Sequence, residues 1–400
     1  MPKKKILYIS GSVGLGHAPR DLAIAKELRS QNPEVEIVWL ASPPASMLIK
    51  DGGGKLLPES DQWANDNIPL EKSATEGFQL NLLRYLMGAM GAWKQNVKIF
   101  EEVAGKEHFD LIIADEAYEI ALALEKKRGQ TEAPFVMIYD FMGNNSMTRN
   151  PVEKLLTYMW NRKWADIRNF YSDERNTAFF VGELEDIPDK NLGFLLPNRR
   201  FIAKETFQFI GYILPFDPSE YVDRAKTRAN LNYGENPLIV CSIGGTAVGK
   251  DLLSLCGRAY TFVREKIPDL QMVLVCGPRL SPDFLDIPEG VEVRGYVPAL
   301  YEHFAASDLA IVQAGGTTTI ELTALRRPFL YFPLEKHFEH QFYVTERLNR
   351  HQAGIKMQYS LTTPETLADM IVSNIGKEVP YSPILTDGAQ KAARLINQLF

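Results

Sequence analysis

The sequence predicts an α/β protein of two domains, each built around a parallel sheet with helices on both faces. Three observations predict this class. The 400 residues exceed the usual size of one domain, short β-branched runs alternate with longer helical patterns, and a Pro- and Gly-rich stretch separates two such series. A composition of 45% hydrophobic and 24% charged residues excludes a disordered or fibrous chain.

The strands are expected where short apolar runs stop at small, polar or acidic residues. In the first half they are Lys5–Ser10, Val35–Ala41, Asp110–Asp115 and Phe135–Asp140. In the second half they are Leu238–Ile243, Met272–Cys276, Val291–Arg294, Leu309–Gln313 and Phe329–Pro333. The segments between them are long enough to hold crossover helices, so both sheets are expected to be parallel.

The boundary between the two domains is expected near Pro215, in a segment rich in Pro and Gly. We predict an N-terminal domain over residues 1–215, a C-terminal domain over residues 216–385, and a terminal helix over residues 386–400 that packs back on the N-terminal domain. Open parallel sheets bind ligands outside the carboxyl ends of their strands. The two sheets are therefore expected to face a central cleft.

Charge and cysteine content exclude several functional classes. A net charge of −6 disfavours a general nucleic-acid binder, which usually carries a surplus of basic residues. Three widely spaced cysteines fit neither a disulfide framework nor a zinc site, so we expect reduced core residues at Cys241, Cys256 and Cys276. No apolar run approaches the roughly 18 residues of a membrane-spanning helix, and the first residues lead directly into a strand, so a cytoplasmic location is expected.

A glycine-rich turn follows the first strand and runs from Gly11 through Gly14 and Gly16 to His17, just before a predicted helix. Backbone N–H groups of such a turn, together with the helix N-terminus, can face an anion or a sugar. A dinucleotide site is the alternative. It is disfavoured because the order here is G-x-x-G-x-G and because the second strand ends without an acidic residue for a ribose.

His17 is a candidate general base, because a neutral imidazole can take a proton from a hydroxyl near neutral pH. Asp115 closes the third strand and can orient His17 and stabilise the imidazolium. Structural alternatives remain open for both residues. His17 can be a loop or capping histidine, Asp115 can cap the helix that follows it, and a neighbouring carboxylate such as Glu116 can take its place.

Two further glycine-rich turns follow strands of the second half. The first, Gly244-Gly245-Thr246, precedes a helix and can cradle a phosphate, although the spacing of a P-loop is absent. The second contains Gly315, Gly316, Thr317 and Thr318 and can bind a diphosphate at a helix N-terminus. Glu321, about one turn further, can accept hydrogen bonds from both hydroxyls of a ribose. A plain helix start with a solvated glutamate is the alternative.

Taken together, these residues resemble the two-domain (GT-B) nucleotide-sugar glycosyltransferases, in particular the MurG-like and UDP-glycosyltransferase group. The resemblance spans nearly the whole chain and is strongest over residues 237–345. It implies two Rossmann-like domains facing a central cleft, with the acceptor bound by the first and the donor by the second. It also implies that Gly14 and Gly16 form an acceptor or phosphate loop, that His17 is the catalytic base and that Asp115 is its partner.

For the donor half, the resemblance implies that the backbone at Tyr296 and Val297 reads the nucleobase and that His340 and Gln341 contact the sugar. The glycine-rich turns at residues 244–246 and 315–318, with Glu321, correspond to the family's phosphate loop and donor signature. Two positions depart from the pattern: Gln313 stands where the plant-type signature begins with histidine, and Arg327 stands where the family has glycine before a proline.

The expected activity is an inverting transfer of a hexosyl or N-acetylhexosaminyl group from a nucleoside-diphosphate sugar, UDP or dTDP, to an acceptor hydroxyl. No cofactor or metal is expected, since the sequence lacks an Asp-x-Asp motif. The expected partners are the donor and a small-molecule, lipid or glycan acceptor, with no nucleic acid. The apolar stretches at residues 77–93 and 158–164 favour helices that cover the first sheet and line the rim of the cleft, while an acceptor pocket in the first stretch and peripheral contact with the inner face of a membrane stay open. An epimerase or hydrolase acting on the nucleotide sugar, and a non-catalytic binding partner, are the alternatives.

Overall fold

A computed structural model describes residues 3–11, 15–65, 67–75, 79–126 and 131–399. The chain forms two compact units. The first comprises Met1–Lys72, Leu82–Pro215 and Leu385–Phe400, and the second comprises Ser73–Asn81 and Phe216–Ile384.

Fifteen strands occur in the described residues. They are β1 Lys5–Ile9, β2 Glu36–Leu40, β3 Lys55–Leu56, β4 Ala74–Thr75, β5 Gln79–Leu80, β6 Leu111–Asp115, β7 Phe135–Tyr139, β8 Asn176–Val181, β9 Phe207–Gly211, β10 Leu238–Ser242, β11 Gln271–Val275, β12 Val291–Arg294, β13 Leu309–Gln313, β14 Phe329–Phe332 and β15 Ile355–Lys356.

Fourteen α-helices occur in the same described ranges. They are α1 His17–Gln31, α2 Ala45–Asp51, α3 Asn67–Ser73, α4 Leu82–Lys106, α5 Tyr118–Glu125, α6 Pro151–Phe170, α7 Arg199–Thr206, α8 Arg224–Asn230, α9 Lys250–Lys266, α10 Leu300–Ala306, α11 Gly316–Ala324, α12 Thr345–Arg350, α13 Pro364–Asn374 and α14 Gly388–Ile396. A π-helical turn, Glu339–Val344, leads into α12.

The first unit is built on a seven-stranded sheet with the order β3-β2-β1-β6-β7-β8-β9, and its strand pairs are parallel. All five residues of β6 and of β7 are buried. Continuous burial of this kind is expected for a parallel sheet covered by helices on both faces, which explains why these strands read as unbroken apolar runs.

The second unit is built on a six-stranded parallel sheet with the order β12-β11-β10-β13-β14-β15. The predicted fold class of two parallel α/β units is therefore confirmed. All nine strands expected from the sequence are present, with ends that differ by at most one residue. The cysteines Cys241, Cys256 and Cys276 are free and buried.

Residues 385–399 return to the first unit, where α14 packs against α1 and β9. The helix buries Ala389, Ala392, Ala393 and Ile396, which recur with the helical spacing of one apolar face. None of the helices in the described part of the chain is both long and apolar enough to span a bilayer.

Candidate active site

The strand order of the first sheet reverses at β1, which pairs with β2 on one side and with β6 on the other. A reversal of this kind leaves a crevice at the carboxyl ends of the two central strands. His17 is the first residue of α1, just after β1, and Asp115 is the last residue of β6. The topology therefore brings together two side chains that lie 98 residues apart in the sequence.

His17 and Asp115 are in direct contact. The Nδ1 atom of His17 lies 3.1 Å from Oδ2 of Asp115, and the two side chains are 16% and 0% exposed. Gly11 makes room for the imidazole ring, because a Cβ atom at that position would lie 3.0 Å from Cγ of His17. When Nδ1–H donates to Asp115, the Nε2 atom is left as an acceptor for a substrate proton.

Asp115 is also held by Arg20, one turn further along α1. Nε of Arg20 donates to Oδ2 of Asp115 at 2.8 Å, and Nη2 donates to Oδ1. Nη1 of the same guanidinium donates to Asp140 at 2.9 Å, and Nη2 lies 2.9 Å from Nδ1 of His17. Asp115 is not the N-cap residue of α5: that position is Ala117, which makes no side-chain cap.

The pKa values of the carboxyl groups around Asp115 shift in different directions. Burial alone would raise the pKa of Asp115, but the guanidinium of Arg20 and the hydrogen bonds from Arg20 and His17 hold it far below its usual value. Burial, followed by the nearby carboxylates, raises the pKa of Asp21 and of Glu116. Glu116 accepts from the hydroxyl of Tyr118 at 2.6 Å and from the backbone N–H of Asp140 at 3.1 Å. The carboxylate that contacts His17 is thus Asp115.

The second sheet reverses its order between β10 and β13. The two glycine-rich turns predicted as phosphate sites follow these two strands, at residues 243–249 and 314–316. Parallel strands place their carboxyl ends on the same edge, so both turns lie at the switch point of this sheet.

The turn after β10 requires glycine at one of its own positions and at a neighbouring position after β11. Gly244 has φ +81°, which favours glycine. Gly277, after β11, approaches so closely that a Cβ atom there would lie 2.3 Å from the carbonyl oxygen of Gly244. Gln313 at the end of β13 secures the turn, since its amide nitrogen, turned toward the loop, donates to the carbonyls of Ile243 at 2.8 Å and Val248 at 3.0 Å.

The helix α11 begins at Gly316, and its N-cap residue, Gly315, has no side chain to cap it. The first-turn N–H groups of an α-helix have no acceptor within the helix, and they favour an anion. Glu321 lies on the second turn of this helix and is 8% exposed. Burial raises its pKa to about 8, and no hydrogen bond to its carboxylate occurs among the described residues.

Similarities to known proteins identify the family of the chain. Residues 239–398 match the model of the glycosyltransferase family 28 C-terminal domain. An uncharacterized glycosyltransferase of Methanosarcina acetivorans is 37% identical over 373 residues, which are 91% of this chain and 86% of the relative. The chain belongs to the GT-B glycosyltransferases.

Two other similarities extend over the whole glycosyltransferase. The UDP-N-acetylglucosamine–N-acetylmuramyl-(pentapeptide) pyrophosphoryl-undecaprenol N-acetylglucosamine transferase of Thermoanaerobacter sp. X514 is 26% identical over 425 residues, covering 99% of this chain and all of the relative. The crystal structure of the kitacinnamycin glycotransferase superposes with a TM-score of 0.61 at 15% identity, covering 100% of this chain and 95% of that one. The second similarity concerns the fold alone.

The remaining candidate residues of the glycosyltransferase differ in their surroundings. Tyr296 is 39% exposed, and Val297 packs against the core. His340 is buried, and its Nδ1 accepts from the N–H of Leu334 at 3.2 Å. The amide nitrogen of Gln341 donates to the carbonyl of Leu334 at 3.1 Å.

These contacts mean that His340 and Gln341 shape the loop after β14. Burial lowers the pKa of His340 and also lowers that of the adjacent His337, to about 4, so both rings are neutral at physiological pH. Gly16 is the N-terminal cap residue of α1, whereas Gly14 lies outside the described residues.

Sequence reasoning missed two functional candidates. They are Arg20, and Gln313 as the residue that hydrogen-bonds the turn after β10. A signal for Arg20 was present, because a buried carboxylate at Asp115 requires a cation and Arg20 lies three residues after His17 on the same helix face. No comparable signal existed for Gln313, since its two acceptors are backbone carbonyls.

Proposed function

We propose that this glycosyltransferase transfers a hexosyl or N-acetylhexosaminyl group from a UDP-sugar to an acceptor hydroxyl with inversion, and that His17 is the base. The observation that carries the proposal is the 3.1 Å contact between His17 and Asp115 at the switch point of the first sheet. The full-length similarity to a transferase named for UDP-N-acetylglucosamine supports the choice of donor.

In the proposed reaction, Nε2 of His17 takes the proton of the acceptor hydroxyl while the oxygen attacks the anomeric carbon of the donor. The bond from that carbon to the diphosphate oxygen breaks, and the nucleoside diphosphate leaves with the electron pair. Asp115 stabilises the imidazolium formed on His17. Direct displacement on one face of the sugar inverts the configuration of the anomeric carbon.

The donor would be held by the second unit. The uncapped N-terminus of α11 at Gly316 offers backbone N–H groups to the diphosphate, and the buried carboxylate of Glu321 offers oxygens to the ribose hydroxyls. Gln313 holds the turn at residues 243–248 in place. We further propose that no metal takes part, because helix N-termini can meet the charge of the leaving group.

The experiment has two stages. A calorimetric screen of UDP, dTDP, GDP and NAD identifies the nucleotide, and release of the nucleoside diphosphate from its sugars is then followed with lipid, glycan and small-molecule acceptors. His17→Gln is expected to keep nucleotide affinity and to lose transfer by about 10²- to 10⁴-fold. A chelator is expected to leave the wild-type rate unchanged, and proton NMR of the product reports the anomeric configuration.

The outcomes separate the alternatives. Turnover without any acceptor indicates an epimerase or hydrolase, and nucleotide binding without turnover indicates a non-catalytic binding partner. Equal loss of nucleotide affinity in His17→Gln and Glu321→Ala contradicts the assignment of roles. Binding of NAD alone contradicts the donor class.

We also propose that the first unit contacts an anionic lipid surface, which bears on where a lipid acceptor would be met. One face of α6 exposes an apolar stripe, and the adjacent loop exposes Phe194 at 80% and Leu195 at 85%. The hydroxyl of Tyr158 in α6 donates to the carbonyl of Phe194 at 3.2 Å, which joins the loop to the helix. The stripe consists of Val152, Leu155, Leu156 and Met159.

The same helix exposes basic side chains although the protein is acidic overall, which favours an anionic membrane. They are Lys154, Arg162 and Lys163. Binding to vesicles of phosphatidylcholine with phosphatidylglycerol, weakened by salt and by Phe194→Glu, is the expected result. Equal sedimentation of both proteins without vesicles, or dimerisation lost in the variant, would instead assign the patch to a protein contact.

A further inference from the structure

Arg20 is a buried cation in the site, and the proposed reaction gives it no role. Its side chain is 6% exposed and lies between Asp115 and Asp140. We infer that Arg20 is a positioning residue that keeps His17 neutral, and hence able to accept a proton, while fixing Asp115 as its partner. The inference rests on the proposed role of His17 as the base.

The first part of the argument is geometric. Nε and Nη2 of Arg20 occupy one edge of the Asp115 carboxylate, so its orientation is set before a substrate binds. Oδ2 remains within 3.1 Å of Nδ1 of His17. A rigid, two-point ion pair of this kind fixes a carboxylate more firmly than a single lysine ammonium does.

The second part concerns charge. Nη2 of Arg20 lies 2.9 Å from Nδ1 of His17, so a permanent positive charge stands beside the ring. The titratable groups that act on Arg20 are the carboxyls of Asp115, Asp140, Asp21 and Glu116 and the hydroxyl of Tyr8, and Tyr118 is bonded to Glu116. Burial raises the pKa of Asp21 and of Glu116, so Asp115 is the ionised carboxylate in contact with the ring. Without Arg20, His17 would face the charge of Asp115 with no cation to offset it, and that charge favours the imidazolium form of the ring.

Arg20 therefore separates two effects that a simple His–Asp pair cannot separate. Asp115 needs to be ionised to orient His17 and to stabilise the imidazolium during the reaction. The same negative charge favours the imidazolium before the reaction, which lowers the fraction of His17 that is free to accept a proton. A cation shared with Asp140 offsets that charge. Oδ2 of Asp115 and Nη2 of Arg20 both face Nδ1 of His17, and the bond to Asp115 forms when Nδ1 carries the proton.

The test is the protonation midpoint of His17 in the free protein, measured by NMR of labelled histidine and assigned by the signal lost in His17→Gln. Arg20→Gln is expected to raise the midpoint by about 1 pH unit or more. Arg20→Lys is expected to restore part of the shift. Asp140→Asn removes a negative charge beside Arg20 and is expected to lower the midpoint. Lys26→Gln, an exposed site on the same helix, is the matched control and is expected to leave it unchanged.

Shifts of opposite sign in Arg20→Gln and Asp140→Asn support the inference, because a merely structural role predicts no such sign. The acid limb of the transfer rate against pH is expected to move in the same directions. If Arg20→Gln does not fold, Arg20→Lys and Asp140→Asn still give the two signs. A midpoint that stays fixed in the folded variants overturns the inference alone, whereas full transfer by His17→Gln overturns the proposed function.

Discussion

The two sheets reverse their strand order at points that carry opposite chemistry. At the first, Asp115 is buried with both oxygens bonded by the side chains of His17 and Arg20. At the second, Glu321 is nearly as buried, but none of the described residues donates a hydrogen bond to its carboxylate. The pKa of Asp115 is far below its ordinary value, whereas that of Glu321 is raised to about 8.

The difference shows that a buried carboxylate has a different role at each switch point. A buried carboxylate is stable when protein groups compensate it, and it is costly when they do not. The first site is therefore complete without a ligand and suits a reaction that needs a fixed base. The second is incomplete and suits a binding event, in which ligand hydroxyls supply the missing hydrogen bonds.

The largest effect is expected from Asp115→Asn, which breaks the complete site. Transfer should fall by about 10²- to 10⁴-fold, because His17 loses the carboxylate that orients it. Unfolding by urea at pH 7 should show a loss of about 3–5 kcal/mol, since Arg20 loses its main partner.

The pH dependence gives a check on this variant. The pKa of Asp115 is lowered in the folded protein, so its contribution to stability is present above its ordinary pKa and is lost as the solution becomes strongly acidic. The stability difference between wild type and Asp115→Asn should therefore narrow at low pH. A difference that stays constant with pH would contradict the ion-pair interpretation.

A smaller effect, of opposite kind, is expected from Glu321→Gln. Nucleotide affinity should fall by about 10- to 100-fold, as expected for lost hydrogen bonds to a charged group. The folded variant should nevertheless be more stable than wild type. The pKa of Glu321 in the folded wild type, about 8, exceeds the ordinary value of 4.5. Wild type therefore loses stability as the pH rises between these values.

Calorimetry and thermal unfolding measure both sides of this prediction. At pH 7 the stabilisation of Glu321→Gln is expected to reach at most about 3 kcal/mol. Wild-type affinity for the nucleotide should rise with pH up to about 8, with proton release on binding, because the ribose favours the ionised carboxylate. Unchanged affinity together with unchanged stability would place Glu321 outside the nucleotide site.

The smallest effect is expected from Gln313→Ala, which sharpens the comparison within the second unit. Two loop carbonyls lose their donor, so affinity for a nucleoside diphosphate should fall by roughly 3- to 10-fold. Affinity for the nucleoside without phosphates should not change, because Glu321 is untouched. Gln358→Ala, an exposed glutamine whose amide donates to Ser360, is a matched control. Equal losses for both ligands would mean that Gln313 acts through the whole unit.

Sequence reasoning predicted nine strands of the two sheets, including the four that flank the switch points, since most are short apolar runs bounded by residues that stop them. It missed β8 and β9, because Asn176–Val181 and Phe207–Gly211 mix aromatic residues with polar ones and resemble a connection. The edge strands β3 and β15 are only two residues long and carry no period that could be detected.

The positions of the candidate site residues could be predicted from the sequence, but not all of their contacts. The place of His17 and Asp115 followed from parallel topology, because strand ends meet at one edge. Their contact with Arg20 could not be derived from spacing alone, since it depends on the rotation of α1 against β6. The structural alternative for Glu321, a solvated side chain, is wrong because the residue is buried.

The packing of α14 on α1 has a consequence for how the protein is made. The helix that begins with His17 is synthesised before the second unit, but the apolar face of α14 that covers it leaves the ribosome only after the whole second unit. The first unit must wait for residues 216–384 before its fold is closed. A chain stopped before Leu385 would contain every residue of both switch points and would still leave the helix that carries His17 without its cover.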